Sequence, residues 1–185
     1  MSGVSGLAHA HGGASGVVKE RMELMKEMKQ SVKTLSAMFR GQTDYDADAV
    51  ASAAKTLEKN SGSELTELFP EGSLHKPTEA KPEIWQEWDR FSALADQLKR
   101  FSTALAKASE NGPAASGASN GMMGADSMMG TSDMMGGSSI MGSRGAMNGQ
   151  AFSEEKMASM PADRVFRMIT ETCSSCHTRY RIEEE

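Results

Sequence analysis

The chain has 185 residues, a formal net charge of −5 and a mean hydropathy of −0.46. That length corresponds to one domain, or to one domain with appendages, and the acidic balance argues against nucleic acid, whose phosphates call for a basic patch. No run of 18 apolar residues is present, so no segment reads as a membrane span.

Residues 1–15 are mostly Gly, Ser, Ala and His and read as a flexible arm. His9 and His11 admit a metal reading, but a solvated tail is the plainer one. The apolar h-region of an intact secretory signal is missing, although Ala8-His9-Ala10 resembles the small-residue end of a cleavage site. Residues 17–40 predict a helix. Val18, Arg21, Met25, Met28, Val32, Leu35 and Phe39 alternate spacings of three and four, which puts them on one face, and Gly41 is a stop signal. Arg21 is the one charge on this seam, and a guanidinium on a buried face calls for an anionic partner.

Residues 46–60 predict a second helix, with Asp46 as N-cap, a stripe of Val50, Ala51, Ala54 and Leu57, and Gly62 beyond its end. Residues 61–81 read as a connection with a turn at Phe69-Pro70-Glu71-Gly72. Residues 82–109 predict a long third helix with Pro82 in its first turn. Ile84, Trp88, Phe91, Ala95, Leu98 and Leu105 lie on its seam, with Trp85 and Phe101 beside it. Such an aromatic stripe is ordinarily bundle core; Phe91 is the candidate for contact with a cofactor ring.

Residues 111–150 change character to Gly, Ser, Ala, Asn and Met, with Met-Met-Gly recurring at 122, 128 and 134. This composition buries too little surface to offset its ordering entropy, so the stretch reads as a disordered insertion. Its thioethers are soft ligands that suit Cu(I), against the plainer reading of a linker that binds nothing. Residues 153–181 predict the last helical region, which Pro161 begins or kinks. Val165, Ile169, Cys173, Cys176 and Tyr180 share a face there, and Glu183 to Glu185 form an acidic tail. The fold class is therefore all-α, an antiparallel up-down four-helix bundle over 16–182, interrupted at 111–150.

The chemistry is concentrated in Thr172-Cys173-Ser174-Ser175-Cys176-His177, which holds both cysteines of the chain. C-x-x-C-H is the pattern of a c-type haem attachment site. On a helix, positions i, i+3 and i+4 share a face, so two thioethers and an imidazole can address one flat ligand, with His177 as an axial ligand of its iron. Structural zinc wants four ligands and finds three here; a thioredoxin-like pair wants a βαβ context that is absent. On the first helix, Met25 is a candidate second axial ligand, and Met22, Met28 and Met38 are weaker ones. His/Met ligation is an electron-transfer arrangement, but periodicity alone does not separate a ligand from an ordinary core methionine. Arg21 is a candidate partner for a haem propionate. No Ser-His-Asp, paired-carboxylate or phosphate-cradling constellation is evident, so no enzymatic activity is expected.

Taken together, Val18-Lys19-Glu20-Arg21 with Met25, Leu68-Phe69-Pro70-Glu71-Gly72-Ser73, Lys81-Pro82-Glu83-Ile84-Trp85 with Trp88 and Phe91, and Cys173 to Arg181 resemble the class II c-type cytochromes, cytochrome c prime and its low-spin relatives. The resemblance covers most of the chain outside 1–15 and 111–150. It implies an up-down bundle, an architecture of which cytochrome c prime is a standing example, with one covalent haem c on the last helix. It implies His177 as proximal ligand, Met25 on the distal face, Arg21 near a propionate and Arg181 beside His177. It also implies a periplasmic location and frequently a homodimer through the first two helices. The insertion at 111–150 is much longer than the family's usual link. The expected function is one-electron transfer with small redox proteins; the alternative is a five-coordinate haem that binds nitric oxide or carbon monoxide.

Overall fold

A computed structural model describes residues 14–114 and 153–182. The arm residues His9 and His11, the Met-Met repeats and the acidic tail lie outside these residues. The described elements are α1 (Gly16–Phe39), α2 (Ala47–Lys59), α3 (Ser63–Thr66), α4 (Glu83–Gln86), α5 (Trp88–Ala108), a 3-10 turn at Ser109–Asn111, α6 (Glu154–Ala158) and α7 (Ala162–Tyr180). The four long helices form the bundle: α1 packs on α2 and α7, and α5 packs on the same two helices. No strand occurs among the described residues; Ala80 and Arg181 form one isolated antiparallel bridge.

Local chemistry fixes the helix ends. The α1 seam buries Val18, Arg21, Met28 and Leu35. Gly41, at φ +67°, then ends the helix in a Schellman motif, with Gly41 N–H donating to Met38 O (3.0 Å) and Gln42 N–H to Ala37 O (2.8 Å). Asp46 caps α2 by accepting from Ala49 N–H at 3.0 Å. The alanine-rich stripe buries Val50, Ala53, Ala54 and Leu57, so α2 lies closely on its neighbours. Leu35, Leu57, Leu105 and Ile169 are fully enclosed; each contributes roughly 1.5–3 kcal/mol by leaving water.

Two expectations are corrected. The predicted third helix is broken at Glu87, whose φ −125° and ψ 40° are not helical. Ile84 therefore belongs to a separate turn, and Trp88, placed by periodicity on the buried seam, is 39% exposed at the start of α5. Residues 111–114, assigned by composition to the insertion, make defined contacts as well. Asn111 donates its side-chain amide to Ala158 O (2.7 Å) and Met160 O (2.8 Å). Ala162 N–H donates to Gly112 O (2.8 Å), and Ala114 N–H to Asp163 Oδ1 (2.8 Å). Residues 111–114 are thus held against the start of α7. As the sequence predicts, Pro161 separates α6 from α7.

The core has two parts. The first gathers Leu35, Val50, Leu57, Leu105, Val165 and Ile169 between the long helices. The second gathers Leu65, Phe69, Ile84, Phe91, Ala95 and Tyr180 at the end of the bundle where α3 and α4 sit.

Candidate functional site

Cys173, Cys176 and His177 lie in the last turns of α7, at i, i+3 and i+4. Neither cysteine is in a disulfide, and both are half-buried. Cys173 packs on the first core cluster and Cys176 on the second. Burial pushes each thiol up to about 11, so both are protonated and neutral at pH 7. Such sulfurs are poor thiolate ligands and poor exchange nucleophiles, but they suit apolar contact. Burial first, and the Arg181 charge second, hold the His177 imidazole below its ordinary 6.5, with Glu79 opposing. At neutral pH the ring therefore keeps a lone pair free for a metal. Among the described residues, no group of three or more His, Cys, Asp and Glu side chains converges as a site for a bare ion.

The helix end that carries these residues is anchored. Lys81 N–H donates to Tyr180 O (2.8 Å) and Ile182 N–H to Glu79 O (2.7 Å). Arg181 Nε reaches Glu79 Oε2 at 2.6 Å. The Arg179 guanidinium grips both oxygens of Glu87, and Tyr180 O–H donates to Glu87 Oε2 at 3.1 Å. This bidentate geometry fixes orientation as well as distance. Arg181 is exposed, and its backbone N–H closes the helix on His177 O at 3.0 Å.

Of the α1 residues singled out by the sequence, Arg21 is 4% exposed. Its guanidinium donates to Leu68 O, to Ser73 O (3.0 Å) and Ser73 Oγ, and to Thr78 Oγ1 (3.4 Å). It also lies over the Phe69 ring. Every one of these acceptors is neutral, and burial lowers the guanidinium's pKa. Among the described residues no carboxylate lies within 4.0 Å of it. Met25 is half-buried and packs against both core clusters. Phe91 is 2% exposed and makes ring contacts with Phe69, Trp88 and Tyr180. Arg21, Met25, Phe91 and Cys176 thus converge on the second cluster, while His177, an exposed residue whose ring is partly desolvated, follows Cys176 on α7.

These residues fit a covalently held haem. The donor set offers two thiols and a neutral imidazole on one helical face, next to apolar surface, with a buried cation that has no carboxylate partner among the described residues. A family model described as Cytochrome C' matches residues 16–126, more than half of the chain. The chain belongs to the cytochrome c prime family. The match ends before Cys173, so the cysteine motif is an independent observation. As a family member the chain is a c-type haem protein with one covalently attached haem c. Cytochrome c-556 of Agrobacterium tumefaciens (strain II Chrys) is 36% identical over 84 residues, which are 45% of this chain and 67% of that protein. The solved cytochrome c' of Rhodopseudomonas palustris superposes with a TM-score of 0.60 at 19% identity, covering 93% of this chain and 100% of that one. A variant of cytochrome c prime from Alcaligenes xylosoxidans, solved as its nitric oxide complex, gives 0.56 at 17% identity, covering 91% and 94%. At these identities the solved structures establish the fold, a four-helix bundle.

The sequence did not reveal what surrounds Arg21. Ser73 and Thr78 lie over fifty residues away, in a connection read only as a turn. Glu79 and Glu87, which anchor the end of α7, were equally hidden, since nothing in their spacing relates them to Arg179 and Arg181.

Proposed function

We propose that the chain is a one-electron carrier whose haem is tethered through Cys173 and Cys176, with His177 and Met25 as axial ligands. Bound haem supplies an iron that cycles between ferric and ferrous. The observation that carries the reading is the position of Met25. The two cysteines pack on different core clusters, and Met25 packs on both, which puts a thioether at the junction the cysteines flank. Arg21 would receive a propionate and neutralise its charge in a setting that gives it only neutral acceptors. Phe91 would offer an apolar wall, and Arg181 a positive charge beside His177. The anchors at Glu79 and Glu87 hold the α7 terminus rigid, so the ligand set changes little between oxidation states. The domain is read as 16–182 with an insertion, exported to the periplasm. No described helix is long and apolar enough to cross a membrane.

A second reading is gas binding, with Met25 lining an open distal position. It is favoured by the similar fold solved with nitric oxide bound. Optical spectra of the ferric and ferrous holoprotein decide between them. Low-spin iron in both states, with no uptake of carbon monoxide, supports the His/Met carrier. High-spin iron that binds carbon monoxide rejects it in favour of gas binding.

A further inference from the structure

Both tryptophans of the chain lie at one place on the surface. A groove of about 350 Å³ is lined by Phe69, Pro70, Glu71, Trp85 and Trp88. Its walls are held in place, because Trp85 Nε1–H donates to Phe69 O at 2.9 Å. Behind it the rings run inward: Trp88 to Phe91 at 5.7 Å, then Phe91 to Phe69 at 5.0 Å and to Tyr180 at 5.5 Å between centroids. Tyr180 stands three residues beyond His177 on α7 and shares a cluster with Cys176.

The polypeptide around the groove is acidic. Residues 67–72 hold Glu67 and Glu71, residues 82–89 hold Glu83, Glu87 and Asp89, and neither stretch contains a lysine or arginine. Lys81 and Arg90 bound the second stretch. Glu87 is engaged by Arg179, whereas Glu67, Glu71 and Asp89 are exposed. A second surface cavity, lined by Lys55, Glu58, Lys59, Glu64 and Lys99, mixes both signs and contains no aromatic ring.

We propose that the groove at Trp85 and Trp88 is the docking surface for a redox protein that presents a cationic face. The inference rests on the electron-transfer reading above. An exposed aromatic centre beside an acidic rim is how a transient interface combines contact with steering, and the ring path connects this surface to the cluster beneath Cys176. One electron would pass between the haem and the partner's redox centre, with no bond or proton changing hands.

The test titrates a basic c-type cytochrome into the nitrogen-15-labelled holoprotein, both held in one oxidation state, and follows the two indole N–H resonances. Both shift, and the shifts shrink as salt rises. Replacing Glu67→Lys together with Glu71→Lys weakens binding about tenfold at low salt, the scale on which rim charges act. Lys55→Glu with Lys59→Glu does not weaken it. Indole resonances that stay fixed while other signals move, or a charge reversal at 67 and 71 without effect, overturn the docking surface. The carrier reading falls separately, on spectra of the isolated holoprotein that show open-coordinate iron.

Discussion

The Arg21 guanidinium carbon lies 4.4 Å from the centroid of the Phe69 ring. The same side chain donates to three residues of the 68–78 connection, so one buried cation organises the whole loop. Arg21→Met keeps the stem and removes the fork, leaving Ser73 O and its hydroxyl without this donor. The expected loss is about 3 kcal/mol, typical of breaking hydrogen bonds to a buried charge, read as a lower urea midpoint. Arg21→Lys restores the charge but not the planar fork, and recovers less than half of the loss. Equal stabilities for Met and Arg would remove the organising role.

The two thiols predict a graded outcome. Cys173→Ala or Cys176→Ala leaves one sulfur able to hold haem, so each single variant retains haem after acid-acetone extraction. The double variant releases it all. If the double variant still holds haem through extraction, the tether lies elsewhere.

Much of this arrangement was legible in the sequence because it is local. The α1 seam, the Asp46 cap and the C-x-x-C-H spacing each depend on residues within a few positions. Trp88 was misplaced because periodicity runs through Glu87 without registering its non-helical backbone. The cradle of Arg21 was invisible for another reason. The sequence called for an anion beside that charge, whereas the chain itself supplies carbonyls and hydroxyls from a distant loop. In the proposed holoprotein the anion comes from the cofactor.

Met25 distinguishes carrier from gas binder without altering the tether. Met25→Ala opens the distal position, so a low-spin holoprotein becomes high-spin and takes up carbon monoxide when ferrous. Its reduction potential falls, since loss of the thioether removes a ligand that raises it. A spectrum unchanged by the substitution shows that Met25 is core packing alone.

Gly62 joins the end of α2 to α3 with φ +66° and ψ −133°, and its N–H donates to Ala95 O of α5 at 3.0 Å. A Cβ there would lie 2.9 Å from Lys99 Cδ, part of a long side chain that can move aside. The main cost of Gly62→Ala is thus backbone strain, about 1–3 kcal/mol. Thermal denaturation measures it, and Lys99→Ala in the same background recovers little. Full recovery would assign the cost to the clash instead.

The clamp between Arg179 and Glu87 makes the anchoring of α7 dependent on pH. The hydrogen bond from Arg179, supported by that from Tyr180, holds the Glu87 carboxyl below its ordinary 4.5. A carboxylate with a depressed folded-state pKa adds stability that is fully present above its unfolded value and is lost as pH falls through the folded one. Glu87→Gln cannot ionise, so it lacks this contribution at every pH. The melting temperatures of the two proteins should therefore differ at pH 7 and 5, then converge below pH 4.5 as the native carboxyl takes up its proton. Salt should narrow the gap at pH 7, because the Arg179 side chain is 43% exposed and open to screening. A difference that stays constant from pH 7 to 3 would mean that Glu87 acts through packing against Tyr180 and not through its charge.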